Sequence, residues 1–209
     1  NKLKILLIDD NVHLKEKAAP LFKMERDYLI DQGHKVTSIG FSKNIESNSS
    51  KFFIIREKKG RLNDKITKFI GDRETQSFLR ELIDEIKPDI IHCHLLAKHA
   101  LNVYKVIPKK IKVVQSLHGP NFFCATGWGC VKKDSRHCDL GISNKCVSNG
   151  CVSIPIYLPY KKLNYELQKL LKEKVNVFHC PSRQIEKVAN SHGFKNTVNI
   201  NLGLRNLFT

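Results

Sequence analysis

The stretch RETQSFLRELIDEIKPDIIHCH, residues Arg73–His94, decides the fold class of this chain of 209 residues. Its first part predicts an amphipathic helix over Arg73–Ile86, because apolar residues recur there at helical spacing. This apolar stripe consists of Phe78, Leu79, Leu82, Ile83 and Ile86. Pro88 disfavours helical backbone in the residue before it, and the run Pro88–His94 then predicts a buried strand. A helix that leads directly into a buried strand is the repeating unit of a parallel α/β sheet.

The same alternation extends outward in both directions. Further strands are predicted at Lys2–Ile8, His34–Ile39, Lys51–Ile55, Lys112–Leu117, Val175–Cys180 and Thr197–Asn201. Further helices are predicted at Pro20–Gln32, near Ala97–Tyr104, at Tyr160–Lys174 and at Arg183–Ser191. The fold class is therefore α/β, with a Rossmann-like, doubly wound and mainly parallel sheet in one domain over residues 1–200. Residues 201–209 are predicted to begin a linker.

The carboxyl ends of the strands hold the candidate site residues, because open parallel sheets bind ligands at that edge. The strand Lys112–Leu117 leads into His118, which is the main catalytic candidate. Candidate substrate contacts near the same edge are Asp10, Asn11, His94, Gly119, Asn121 and Ser182. Asp10 and Asn11 are equally typical of a turn. His92 and His94 alternate with Cys93 and so face one side of the sheet, and a buried core role is the alternative for His94.

A loop rich in cysteine, residues 120–153, interrupts the alternation. Its cysteines are Cys124, Cys130, Cys138, Cys146 and Cys151. Four thiolates, from Cys130, Cys138, Cys146 and Cys151, could hold one structural zinc ion and order this loop. Disulfide bonds and free thiols are the alternatives, with Cys124 as the spare cysteine and His137 as a substitute ligand. No catalytic metal is expected.

The chain is strongly basic, with a formal net charge of +16 at pH 7. Residues 101–209 hold 17 Lys and Arg against 5 Asp and Glu. Such a surface attracts polyanions, which include nucleic acids, anionic lipids and phosphorylated substrates. A basic nucleic-acid-binding module held together by zinc, without catalytic activity, is therefore the alternative function. The sequence lacks the repeat of aromatic and basic residues typical of a base-stacking surface, so no specific nucleic acid is expected.

Short motifs follow one another in a characteristic order: KILLID (Lys4–Asp9), Leu29–Val36, KPDIIHCH (Lys87–His94), Leu117-His118-Gly119, VFHCPS (Val177–Ser182) and VNINLGLRNLF (Val198–Phe208). In this order they resemble the N-terminal half of family 4 glycosyltransferases, enzymes of the two-domain GT-B fold. The loop after His118 is similar to a subset of that family with several cysteines there. The first loop departs from the family, which usually places a Gly-Gly pair where this chain has Ala18-Ala19-Pro20.

The resemblance implies a retaining glycosyltransferase, of hexosyltransferase type, that moves a sugar from a nucleotide diphosphate sugar to a glycan or lipid-linked acceptor. It implies that His118 contacts the donor sugar and that a C-terminal donor-binding domain completes the cleft, so that this fragment alone is inactive. The expected process is polysaccharide biosynthesis for the cell envelope. We expect a cytoplasmic location, with peripheral contact between the basic helix Tyr160–Lys174 and the anionic inner membrane face. Packing on the sheet as an ordinary amphipathic helix is the alternative for that helix.

Overall fold

The computed structural model describes residues 2–10, 20–42, 52–57, 67–127, 129, 131–135, 138 and 141–201. Within these ranges the strands are β1 Lys4–Ile8, β2 Lys35–Ser42, β3 Phe52–Arg56, β4 Ile90–Cys93, β5 Lys112–Ser116, β6 Val177–Cys180 and β7 Thr197–Asn199. The helices are α1 Pro20–Asp31, α2 Arg73–Ile86, α3 Ala100–Val106, α4 Lys145–Ser148, α5 Ile154–Lys174 and α6 Arg183–Ser191. The predicted alternation of strands and helices is confirmed.

The strands form one sheet in the order β3-β2-β1-β4-β5-β6-β7. Every pairing between neighbouring strands is parallel. β1 lies beside β4, with Ile5 opposite Ile90, so the sheet grows to one side up to β3 and to the other side from β4 onward. Such a reversal leaves a crevice outside the carboxyl ends of the two central strands, where ligands bind in open α/β folds. The predicted doubly wound α/β fold is confirmed.

The sheet has an apolar core on each face. Successive residues of β1 divide between the two cores because neighbouring side chains of a strand point to opposite faces. Leu6 and Ile8 belong to the larger core, and Ile5 and Leu7 belong to the smaller one, which α1 covers. α2 adds its buried residues to the larger core, but the predicted stripe is wrong for Phe78, which is 40% exposed.

The basic helix α5 is longer than predicted, since it begins at Ile154 and continues through Pro159. Proline usually breaks a helix interior because it lacks an N–H and crowds the preceding turn. Here the structure accommodates it close to the start of the helix. Leu163, Leu167 and Leu171 are buried in the larger core, so the apolar face packs against the domain. No helix of the described part is long and apolar enough to cross a membrane.

The cysteine-rich loop folds back onto the domain. Phe122 and Phe123 are buried in the larger core, and the Phe123 ring stacks 4.8 Å from the ring of His192 beyond α6. Gly141 has a φ of +63°, and a Cβ atom there would lie 2.4 Å from Cε1 of His192. Only glycine combines that backbone conformation with so close an approach. The loop is therefore fixed to the domain at a point far along the chain from β5.

Candidate active site

Four histidines gather on one face of the sheet, near the carboxyl ends of β4, β5 and β6. The rings of His92 and His94 lie 4.2 Å apart between centroids. Nδ1 of His94 lies 3.1 Å from Nε2 of His118, which follows β5. His179 lies on β6. Cys93 is buried in the larger core, so the predicted alternation of this segment across the sheet is confirmed.

The carboxylate beside these histidines comes from α1. Oε1 of Glu25 lies 2.6 Å from Nδ1 of His92. Oε2 of Glu25 lies 3.2 Å from Nε2 of His94, close enough for an ion pair but without the alignment of a hydrogen bond. Burial alone would raise the pKa of Glu25, but the two histidines hold it well below its ordinary value. Glu25 is therefore ionised at neutral pH.

A second series of contacts leads from His92 across the sheet. Nε2 of His92 lies 2.8 Å from Oγ of Ser116. The same hydroxyl lies 2.8 Å from Nδ1 of His179, whose Nε2 donates to the carbonyl oxygen of Ile200 at 2.8 Å. Ser116 and His179 are partners in the parallel register, so adjacent strands place the side chains side by side. The result is a continuous polar line from α1 to the segment after β7.

His118 stands at the open end of this cluster. Burial, together with the neighbouring histidines His94, His179 and His92, lowers the pKa of His118 to about 4 although Glu25 opposes the shift. His118 is therefore neutral at neutral pH. Within the described residues its Nδ1 has no hydrogen-bond partner, and a Cβ placed on Gly119 would meet nothing within 4 Å. No described residue therefore occupies either of these two positions.

Asp10 is placed at the same edge but contacts backbone. Its carboxylate accepts hydrogen bonds from the N–H groups of Ala97 and Lys98, at 2.5 Å each, and of His99, at 3.3 Å. Because these residues bind Asp10 from a turn, α3 begins at Ala100 rather than at the predicted Ala97. Burial raises the pKa of Asp10, although His99 and the three N–H donors oppose the shift. Contact of Asp10 with a substrate stays a prediction, and Asn11 lies outside the described residues.

The two remaining candidates at the carboxyl edge of the sheet, Ser182 and Asn121, lie in different surroundings. Ser182 caps α6, because its hydroxyl accepts from the N–H of Ile185 at 3.3 Å. Asn121 lines a cavity of about 160 Å³ between the cysteine-rich loop, the segment after β4 and α5. The cavity wall combines polar side chains with apolar ones: Lys68, Leu96, Phe122, Thr126, Tyr160 and Asn164. The structure thus brings together His94, His118 and Glu25 and places Asn121 at a neighbouring cavity.

The sequence model of Glycosyltransferase Family 4 matches residues 25–200, from the residue that faces the histidines to the carbonyl that ends their polar line. The chain belongs to glycosyltransferase family 4. No curated protein matches it.

Two solved structures are similar to this family 4 domain over part of their length. It is similar to a glycosyltransferase from Rickettsia africae ESF-5 at 16% identity and a TM-score of 0.49, with 97% of this chain and 44% of that chain covered. It is also similar to a UDP-N-acetylglucosamine 2-epimerase from Rickettsia bellii at 8% identity and a TM-score of 0.52, with coverage of 94% and 44%. The second likeness is one of fold. The family 4 chain spans less than half the length of either structure.

The sequence did not predict several residues of the histidine cluster and of the cavity beside Asn121. Glu25 lies on an amphipathic helix with no motif around it, so nothing in the sequence set it apart from other surface carboxylates. Ser116 and His179 carried a usable signal, because each lies at or next to the last residue of its strand. Tyr160 was read only as the start of a basic helix. In the structure its hydroxyl accepts a hydrogen bond from Lys68 at 2.9 Å, on the cavity wall.

The thiols of the family 4 domain are free in the described ranges, which exclude Cys130. The backbone N–H of Lys132 donates to Sγ of Cys151 at 3.5 Å. Burial raises the pKa of Cys146, and the nearby thiols of Cys151, Cys138 and Cys124 raise it further. Cys124 differs, because its contacts with Thr126 and with backbone N–H groups outweigh burial and lower its pKa. The loop cysteines therefore lie near one another without disulfide bonds among those described.

Proposed function

We propose that this chain is the acceptor-side domain of a retaining glycosyltransferase that moves a sugar from a nucleotide diphosphate sugar to a glycan or lipid-linked acceptor. The observation that carries the proposal is the position of His118. It is a neutral, half-buried imidazole at the crevice edge of the sheet, and its Nδ1 has no hydrogen-bond partner among the described residues. Family membership supports glycosyl transfer over the nucleic-acid-binding alternative.

His118 would act by contact with the donor sugar rather than as a nucleophile. Transfer with retention places positive charge on the sugar ring and negative charge on the leaving diphosphate, and fixed dipoles aimed at those charges lower the barrier. A cationic histidine beside the sugar would repel the developing oxocarbenium charge. The lowered pKa of His118 keeps the ring neutral, and Nδ1 can hydrogen-bond to a sugar hydroxyl. His94, through its contact at 3.1 Å, holds the His118 ring in place.

The cavity beside Asn121 is the proposed acceptor subsite. It opens next to the crevice edge, and its wall offers both apolar surface and hydrogen-bonding groups. The amide of Asn164 donates to the carbonyl oxygen of Phe122 at 2.6 Å, which fixes the wall between α5 and the loop. A mixed wall suits a sugar ring, which presents hydroxyls at its rim and C–H groups on its faces.

A C-terminal donor-binding domain is the proposed partner, since the similar solved structures are more than twice as long as the stretch they share with this chain. The cytoplasm is the proposed location, and the free thiols support it because disulfides are rare there. The basic side of α5, with Lys161, Lys162 and Lys169, is the proposed contact with an anionic membrane face. Cell-envelope polysaccharide is the proposed product.

A structural zinc ion held by Cys130, Cys138, Cys146 and Cys151 is the proposed organiser of the loop. Mutual proximity of the described thiols supports it, as does the N–H of Lys132 that points to Sγ of Cys151. Thiolate ligands are commonly stabilised by such N–H donors, and structural zinc supplies folding free energy to segments with little core. Elemental analysis of the purified chain and of a Cys138→Ser variant tests this, with one zinc ion fewer expected in the variant.

The transfer proposal is tested by the release of nucleotide diphosphate from a panel of nucleotide sugars. The protein with its proposed C-terminal domain is compared with its His118→Ala variant and with a control, His34→Ala, whose histidine lies near the amino ends of the strands. We expect release from one donor class, a loss of about 100-fold or more in His118→Ala, because one directed hydrogen bond at a reacting centre is worth that much, and unchanged release in His34→Ala. Equal loss in both variants, or none in His118→Ala, contradicts the role of His118.

A further inference from the structure

Three ligand atoms of the histidine cluster converge on one point beneath α1. One ligand atom each from Glu25, His92 and His94 lies within 4.8 Å of the other two, and the Glu25 oxygens lie 2.6 Å from Nδ1 of His92 and 3.2 Å from Nε2 of His94. No second such group of three is found among the described residues. His94 is 3% exposed, and its Nε2 makes no hydrogen bond. A buried ring nitrogen without a partner beside an ionised carboxylate is unusual, because buried polar atoms are nearly always satisfied.

The polar line from Glu25 to the carbonyl of Ile200 has more contacts than its neutral groups have protons to donate. The line has four contacts, from Glu25 to His92, to Ser116, to His179 and to the carbonyl of Ile200. Both ends are acceptors only, because an ionised carboxylate and a carbonyl carry no proton. Two neutral histidines and one hydroxyl supply three protons for four contacts. An additional proton or a metal ion between Glu25 and His92 would complete the fourth contact.

A metal ion at the Glu25 end completes every hydrogen bond with neutral rings. Metal bound to Nδ1 of His92 leaves the proton on Nε2, which donates to Ser116, and the hydroxyl of Ser116 then donates to His179. Metal bound to Nε2 of His94 leaves the proton on Nδ1, which donates to Nε2 of His118. Histidines that bind metals typically donate their other N–H to a fixed acceptor in this way.

We propose that Glu25, His92 and His94 form a binding site for a divalent transition-metal ion of the zinc class. Two imidazoles and one carboxylate favour zinc and its neighbours, whereas magnesium and calcium prefer oxygen ligands alone. Two histidines and a glutamate also form a known zinc ligand set that leaves one position open. The ion also fixes the tautomer of His118, with its proton on Nδ1 toward the open space. The site stands independently of the proposed transfer activity, since its test is metal binding.

The experiment is a titration of the metal-free full chain with Co²⁺, followed by visible absorption. Any cobalt bound by the cysteine-rich loop reveals itself by a thiolate charge-transfer band, so bands without that signature report the new site. We compare Glu25→Gln with the control Glu85→Gln, which changes an exposed glutamate on α2. We expect one thiolate-free Co²⁺ site in the parent and the control, and binding weaker by more than about 100-fold in Glu25→Gln, because loss of a ligand exceeds the loss of an outer hydrogen bond.

A second variant, Ser116→Ala, keeps all three ligands and removes only the acceptor for Nε2 of His92. We expect it to bind Co²⁺ about 10-fold more weakly, in line with the usual effect of such hydrogen bonds. This variant keeps the proposal testable if Glu25→Gln does not fold. Thiolate bands alone, or equal affinity in Glu25→Gln and the control, would overturn the proposal and assign the missing cation to an additional proton.

Discussion

Two carboxylates lie at the crevice edge of the sheet and have opposite surroundings. Asp10, in the turn after β1, is buried and accepts three backbone N–H groups from the segment before α3. Glu25, on α1, is partly exposed and faces the side chains of His92 and His94. Backbone partners fix the course of the chain, while imidazole partners can exchange protons or bind ions. Position at the edge thus does not reveal function, whereas the type of partner does.

The largest effect is expected from removal of the buried carboxylate. Asp10→Ala removes a buried carboxylate and leaves three backbone N–H groups, one of them on the buried His99, without this acceptor, and lost hydrogen bonds to a charged group are costly. We expect a loss of about 2 to 4 kcal/mol in the free energy of unfolding, measured by urea denaturation at pH 7. Glu85→Gln, on the exposed face of α2, is the control and should change the unfolding free energy little. If Asp10→Ala lost less unfolding free energy than Glu25→Gln, the distinction between the two carboxylates would be wrong.

A smaller effect on stability is expected from replacement of the second carboxylate, Glu25. Glu25→Gln keeps the shape of the side chain and can still contact both imidazoles. We therefore expect a loss of about 1 kcal/mol in the free energy of unfolding of the metal-free chain, while cobalt binding weakens by more than about 100-fold. Urea denaturation and the cobalt titration, run on one preparation, measure the two losses. If the loss of stability matched that of Asp10→Ala, Glu25 would be structural as well.

The smallest effect on stability is expected from a third carboxylate, Glu57, which contacts His99 and Lys98. Glu57 accepts from Nε2 of His99 at 2.7 Å and pairs with Lys98 at 2.9 Å. Burial would raise the pKa of Glu57, but these two partners bring it below its ordinary value of 4.5. A lowered pKa stabilises the fold above pH 4.5, and this contribution disappears as the pH falls through the native pKa.

Glu57→Gln should therefore be less stable than the parent by less than about 1 kcal/mol at pH 7, since the pair is partly exposed. The difference between the two chains should shrink below pH 4.5, in urea denaturations repeated from pH 7 to pH 3. A difference that is constant over this range would mean that Glu57 acts through packing and not through its charge.

The fold follows from the sequence because its determinants are local and repetitive. Pro88 follows the end of α2, apolar residues fill both faces of β1, and β2, β4 and β6 each follow a helix after a short turn. The predicted start of α5 at Tyr160 was wrong, because the helix begins at Ile154 and continues through Pro159, whereas proline usually breaks or kinks a helix interior. Whether a helix continues through a proline therefore differs from one helix to another.

The candidate site was only partly predictable for a different reason. His118 and His94 could be found because both follow strands that end at the crevice. Glu25 could not be found, since its partners belong to another part of the chain and its helix shows only amphipathic spacing. Pairing of a helix carboxylate with strand histidines is a property of tertiary packing. Asp10 was found for its position at the edge, yet its partners are backbone groups that a sequence does not reveal.

The strand order also has a consequence for folding during synthesis on the ribosome. β2 adds to β1 and β3 adds to β2, after which β4 covers the other side of β1 and each later strand covers the edge left by its predecessor. From β2 onward each strand therefore meets a partner that is already synthesised, while the second edge of β1 stays open until β4 emerges. Synthesis from the amino end can build this sheet in steps, which limits the time during which an unpaired edge can recruit a second nascent chain.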